Sequence, residues 1–160
     1  MKNAAIHVLI ADDHLVVRMG LAAVLQFHSD IRIIAMAGSG QEAVSLYREH
    51  RPDIVLMDLR MPGLDGVEAT RRIRSESPEA RILMLTTYDA DEDVRRALEA
   101  GASGYILKTG GQEELMDALR VIQRGGRWIP AGLAARLPEI QEQPSLSPRQ
   151  PTSSSEASAA

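Results

Sequence analysis

Cysteine is absent from the 160 residues, which excludes disulfides and thiolate metal sites and is compatible with a reducing compartment. Neither sign of charge dominates. Eighteen Lys and Arg against 22 Asp and Glu give a formal net charge of −4, so the chain as a whole carries no electrostatic footprint for nucleic acid. Long apolar runs are missing too. The N-terminal stretch MKNAAIHVLIADDH has one Lys and a short apolar run, Ile6 to Ala11, interrupted by His7. That is too little for a signal-peptide core or a membrane span. The four histidines, His7, His14, His28 and His50, share no metal-ligand spacing, and none is assigned to chemistry. Internal repeats are also lacking. What remains is the composition of an ordinary soluble globular protein, 44% hydrophobic and 25% charged, with length for one domain and a substantial core. The expectation is a soluble, cytoplasmic protein with no membrane partner.

The chain is organised around Asp53 to Gly66, DIVLMDLRMPGLDG. Ile54 to Met57 is a continuous apolar run, β-branched at its start, as a strand buried on both faces of a parallel sheet requires. It stops at Asp58 and breaks into a loop containing Pro62, Gly63 and Gly66. Before it, Ile6 to Ala11 reads as a first buried strand ending at Asp12 and Asp13. Leu15, Met19, Ala22, Ala23 and Gln26 then follow helical spacing, with Asp13 placed to cap that helix. Ile31 to Ala37 alternates and reads as an edge strand. Ser39 to Glu42 is a capping-box pattern, and Ala43, Val44 and Tyr47 continue a helical face.

Beyond the central stretch, Asp65 and Glu68 open a helix carrying Val67, Thr70 and Ile73. Arg81 to Thr86 is a further buried strand. Val94, Ala97 and Leu98 form a helix face ended by Gly101. Gly104 to Leu107 is a short strand running into Lys108, and Leu115, Ala118, Leu119 and Ile122 mark an amphipathic helix closed by Gly125 and Gly126. Strand and helix alternate five times. The fold class is therefore α/β, a flavodoxin-like (βα)5 doubly wound sandwich whose parallel five-stranded sheet has the order 2-1-3-4-5. The assigned organisation is a domain over 1–126, a linker over 127–145 with a short helix from Trp128 to Leu137, and a Pro/Ser/Ala/Gln-rich disordered tail over 146–160.

The strand ends carry the chemistry. Asp12 and Asp13 follow the first strand, Asp58 ends the third, Thr86 and Thr87 the fourth, and Lys108 the fifth. A parallel sheet opens all of these onto one edge, where open α/β sheets bind their ligands. Three carboxylates together require a cation, and an all-oxygen set suits a hard ion, Mg²⁺, with Mn²⁺ compatible. A lysine and a hydroxyl aimed at the same place can hold phosphoryl oxygens, and a carboxylate can itself be the nucleophile, forming an aspartyl-phosphate. Singly, each residue has a plainer reading, as a helix cap, a strand terminus or a solvated lysine. The set in this order points to phosphoryl transfer.

Asp12-Asp13, MDLRMPGLDG around Asp58, Thr86 and Lys108 together resemble the receiver domain of bacterial two-component response regulators, over roughly residues 4–126. The resemblance implies that Asp58 accepts a phosphoryl group from a phosphohistidine on a sensor histidine kinase. It implies that Asp13, Asp58 and the backbone carbonyl of Arg60 hold Mg²⁺, with Asp12 acting through water. It implies further that Thr86 and Lys108 grip the phosphoryl oxygens and that Tyr105 is the switch aromatic moving with Thr86. Thr109 follows Lys108 where many receivers have proline. Leu146-Ser147-Pro148-Arg149 resembles the opening of the LuxR-type helix-turn-helix domain of NarL/FixJ-class regulators, but Gln150 onward has no helical periodicity and no basic recognition helix. The expectation is a receiver that homodimerises on phosphorylation and reaches DNA only through a domain missing from this chain. No catalytic turnover beyond self-phosphorylation and autodephosphorylation is expected.

Two other classes fit less well. An aspartyl-phosphate phosphatase or mutase needs an acid two residues after the nucleophile, where this chain has Arg60. A flavin- or nucleotide-binding module needs a glycine- or hydroxyl-rich first loop, where this chain has Asp12-Asp13-His14.

Overall fold

Asp58 owes its position to a strand with no exposed residue. In the computed structural model, which describes residues 5–87 and 90–129, β3 (Ile54–Asp58) is buried throughout, as is β4 (Ile82–Thr86). They lie at the middle of a parallel sheet completed by β1 (Ile6–Ala11), β2 (Ile31–Ala37) and β5 (Gly104–Leu107), in the order β2-β1-β3-β4-β5. Between and after the strands come α1 (Leu15–Leu25), α2 (Gly40–His50), α3 (Gly66–Glu76), α4 (Asp91–Glu99) and α5 (Gln112–Gln123). This is the expected doubly wound sandwich. Parallel neighbours need crossovers, and the helices of those crossovers cover both faces, so β1, β3 and β4 carry aliphatic runs with little alternation.

The register aligns the C-terminal ends. Ala11 pairs with Met57, Asp58 with Leu85, and Thr86 with Leu107. The ladder also continues just past the strands. The amide of Asp12 donates to the Ala37 carbonyl at 3.0 Å, and that of Lys108 to the Thr86 carbonyl at 2.7 Å. Site residues are thus held on the sheet frame. On one face the core gathers Val8, Ile10, Ile54, Leu56, Leu83 and Leu85 with Leu115, Ala118, Leu119 and Ile122 of α5.

Helix starts follow the sequence with one exception. The Ser39 hydroxyl accepts from the Glu42 amide at 3.1 Å, and the Asp65 carboxylate from the Glu68 amide at 2.9 Å. α1 departs from expectation. Its N-cap is His14, which makes no side-chain capping bond, and Asp13 is not the cap. The expected apolar face is also rotated. Ala22 and Leu25 are buried, whereas Leu15, Met19, Ala23 and Gln26 are exposed. LVVRMGLAAVL is apolar almost all round, so its period alone does not select the face that packs.

The end of the domain also differs from the boundary drawn at 126. Trp128 forms a parallel bridge with Gly104; its amide donates to the Ser103 carbonyl at 3.1 Å and its carbonyl accepts from the Tyr105 amide at 2.9 Å. Its half-buried ring packs against the core, so the chain at 128 is extended and pairs with β5. The rest of the expected linker helix and the tail, with Leu146 to Arg149, lie outside the described residues. The Lys108–Thr109 peptide bond is trans. Among the described residues no helix is long and apolar enough to cross a membrane.

Candidate functional site

Asp58 is the last residue of β3 and only 4% exposed, and Asp12, just past β1, is fully buried. Two carboxylates this deep need a counter-charge. Lys108 supplies it from the neighbouring strand end. Its Nζ lies 2.7 Å from Asp12 Oδ2 and 3.2 Å from Asp58 Oδ1, spanning 96 residues of sequence to the first of these. Burial pushes the Asp58 carboxyl up to about 6, helped by the negative charge of Asp12, while Lys108 pulls the other way. Burial alone would lower the Lys108 ammonium, but its hydrogen bond to Asp12 and the charges of Asp58 and Asp12 hold it above the usual lysine range. Proton affinity is thus high on both partners, as expected where one cation serves two buried anions.

Asp13 sits at the mouth, partly exposed. Its Oδ1 is shielded from solvent and has no hydrogen-bond partner, an arrangement that costs free energy unless a cation completes it. Asp12, Asp13, His14 and Asp58 each offer one ligand atom, and these atoms lie within 4.8 Å of one another. Clustered carboxylate oxygens, one of them unsatisfied, suit a hard divalent ion, so the residues present fit Mg²⁺.

Thr86 ends β4 beside Lys108, and Tyr105 pairs with Met84 one strand over. Both are buried, at 2% and 1% exposure, so the Tyr105 ring is inside the fold in this structure. Arg60 follows in the loop after β3. Its side chain turns away from the carboxylates to pair with Asp93 of α4, which is buried and also lies 3.9 Å from Arg96. Arg96 in turn is 3.7 Å from Asp65, the cap of α3. The loop is pressed close to the strand behind it, with the Gly66 amide donating to the Leu59 carbonyl at 2.8 Å. A Cβ on Gly66 would meet the Asp58 carbonyl oxygen at 2.1 Å. Only glycine fits there.

The structure therefore brings Asp12, Asp13, Asp58 and Lys108 into one pocket, with Thr86 at the adjoining strand end. Three further participants were not anticipated. Arg18 donates from Nη1 to the Asp12 carbonyl at 2.6 Å, Asp93 holds Arg60, and His14 joins the carboxylates. The adjacency of His14 to Asp12-Asp13 was a signal available in the sequence. The other two depend on packing between elements.

A family model described as the response regulator receiver domain matches residues 8–120. The response regulator protein VraR of Staphylococcus aureus is 45% identical over 120 residues, 75% of this chain and 57% of that protein, so the chain spans little more than half the length of the curated relatives it matches. A two-component response regulator of the LuxR family from Aurantimonas sp. SI85-9A1 superposes with a TM-score of 0.81 at 38% identity, covering 86% of this chain and 99% of that one. A chain of the CheX–CheY–BeF3–Mg²⁺ complex from Borrelia burgdorferi gives a TM-score of 0.67 at 28% identity, over 71% and 86% respectively.

Proposed function

Since the chain belongs to the response regulator receiver family, the receivers of two-component signalling, we propose that Asp58 is its phosphoacceptor and that its donor is the phosphohistidine of a sensor histidine kinase. The observation that carries this reading is the meeting of Asp12, Asp13, Asp58 and Lys108 at one sheet edge, with a buried, unsatisfied oxygen on Asp13. Asp58 Oδ attacks phosphorus, the P–N bond of the donor breaks, and the imidazole leaves. Asp13, Asp58 and the Arg60 carbonyl would hold Mg²⁺, with Asp12 assisting through water; Mn²⁺ is an alternative occupant. When bound, the metal offsets charge on the transferring phosphoryl oxygens.

Lys108 is placed to stay with the phosphoryl group once Asp58 carries it as an acyl phosphate, because its two carboxylate contacts already aim Nζ at the pocket. Thr86 supplies a hydroxyl from the next strand end. Drawn toward the new charge, it biases Tyr105 toward the inward position seen here, and the surface around α4 and α5 changes with it. The donor has to approach over the start of α1, where Leu15, Val16 and Met19 are exposed. The consequence of phosphorylation is homodimerisation. The output of the switch is transcriptional control exerted on DNA through a LuxR-type domain, the class to which the Aurantimonas regulator belongs. The protein is a switch and not a turnover enzyme, and it works in the cytoplasm.

The test is intact-protein mass after incubation with acetyl phosphate and Mg²⁺, with size-exclusion chromatography in parallel. Wild type should gain one phosphoryl group and shift toward dimer, and Asp58→Asn should do neither. Phosphate retained by Asp58→Asn would refute the assignment of the acceptor.

A further inference from the structure

Trp128, the chain's single tryptophan, occupies a seat that satisfies only part of it. Past α5 the chain turns back at Gly125 and Gly126, whose amides donate to the Ile122 and Val121 carbonyls at 2.9 and 3.0 Å. It then runs parallel to β5 as a short strap, with Trp128 opposite Gly104. The approach is close. A Cβ on Gly104 would meet the Trp128 carbonyl oxygen at 2.7 Å. Trp128 spends both its backbone groups on β5, its amide donating to the Ser103 carbonyl at 3.1 Å and its carbonyl accepting from the Tyr105 amide at 2.9 Å. The indole packs against the core, yet its Nε1 is shielded from solvent and has no acceptor. A buried N–H left unpaired is costly, and opening the strap would return it to water. Two backbone bonds and one ring set against that cost make a contact poised between docked and released.

The strap is bonded to the residue on which the switch turns. Tyr105, whose amide it holds, is buried inside the fold. Residues facing one another on neighbouring strands present their side chains on the same face. One step past the Trp128–Gly104 bridge, half-buried Ile129 is level with Tyr105 and shares its face. It stands on the edge of β5 away from β4, the side onto which the Tyr105 ring swings to leave the fold. We propose that the docked strap, residues 127–129, and an outward Tyr105 exclude each other, so that the chain past α5 reads the state of the switch through Trp128 and Ile129. The inference rests on the phosphoacceptor reading, since phosphorylation is what biases Tyr105 inward. Phosphorylation then seats the strap, and a seated strap favours phosphorylation by the same factor, because coupling between two equilibria is reciprocal. In the unphosphorylated ensemble the strap opens more often.

The experiment follows acrylamide quenching of Trp128 fluorescence in the full chain, with and without beryllium fluoride and Mg²⁺ as a phosphoryl mimic. The proteins are wild type, Asp58→Asn, Tyr105→Ala and Ile129→Ser, and phosphoryl uptake from acetyl phosphate is read by mass alongside. In wild type the mimic should shift emission to the blue and reduce quenching, and Asp58→Asn should show neither. Without the mimic, Tyr105→Ala should be less quenched than wild type, because no ring competes with the strap, and the mimic should then change little. If loss of that buried ring unfolds the protein, Ile129→Ser decides. It should be more quenched than wild type and bind beryllium fluoride several-fold more weakly. A wild type that takes up a phosphoryl group while its quenching stays the same or rises overturns the proposal and leaves the phosphoacceptor standing. So does a folded Tyr105→Ala that responds to the mimic as wild type does, or an Ile129→Ser protein of wild-type affinity. A wild type that takes up no phosphoryl group sinks the phosphoacceptor reading instead. The strap is then judged on Tyr105→Ala without ligand, where weaker quenching than wild type supports it and equal or stronger quenching overturns it.

Discussion

At the scale of single residues, the pocket stores unfavourable electrostatics that its ligands relieve. Asp58 is ionised at pH 7 although burial and Asp12 have raised its carboxyl to about 6. The folded state therefore holds a proton here between about pH 4 and 6, where the unfolded chain has released it. The sign follows. This group's contribution to stability is most favourable below the unfolded value and falls as pH rises through about 6. Asp58→Asn removes that dependence and, without divalent cation at pH 7.5, should be more stable than wild type by on the order of 2 kcal/mol, an upper figure because Lys108 loses a partner. Thermal melts of both proteins from pH 5 to 8 check this. The gap between the two curves should narrow as pH falls from 7.5 to 5 and close only near the unfolded value of about 4, and a wild type that gains stability on going from pH 5 to 7.5 relative to the variant would contradict it.

At the scale of elements, the site depends on how closely α3 and its entry loop press against β3. Gly66 begins α3 directly over the Asp58 carbonyl, so an added methyl must push the helix start or the strand end. Gly66→Ala should cost roughly 1–3 kcal/mol, as overpacking typically does, and should weaken Mg²⁺ by displacing Asp58. Gly63→Ala makes the control. Its backbone has φ of +75° but nothing lies near its added Cβ, so it should cost about 1 kcal/mol and leave Mg²⁺ affinity nearly unchanged. Chemical denaturation and Mg²⁺ titration separate the two variants. The same loop is tied outward to α4 through Arg60–Asp93 and Arg96.

At the scale of the whole molecule, cation binding and the far edge of the sheet both feed into stability. Mg²⁺ at about tenfold over its Kd should stabilise wild type by about 1.4 kcal/mol, a rise in Tm of roughly 3–6 °C, and should leave Asp13→Asn unmoved. At the edge, Trp128 covers β5 and donates and accepts there, extending the folded unit past Gly126. Trp128→Ala should cost about 2 kcal/mol, less than for a fully buried aromatic because the ring is only partly buried. A chain cut after residue 126 should show the same loss, measurable in denaturant, whereas one cut after 129 should not. Equal stability of the two truncated chains would place Trp128 outside the folding unit.

The sequence by itself determined the strands, their order and the residues that meet at the sheet edge. Buried parallel strands are short aliphatic runs, and crossover handedness leaves few topologies for five βα units. Asp12, Asp13, Asp58, Thr86 and Lys108 were legible because each stands where such a run ends. Tertiary structure alone decided what depends on the relative rotation and depth of packed elements. It chose the buried face of α1, whose residues are apolar on nearly every side. It put His14 rather than Asp13 at the N-cap of α1 with its ring against the carboxylates, paired Arg60 with Asp93 across 33 residues, and folded Trp128 back onto β5. Periodicity records which residues avoid water within one element; it does not record which element will be there to cover them.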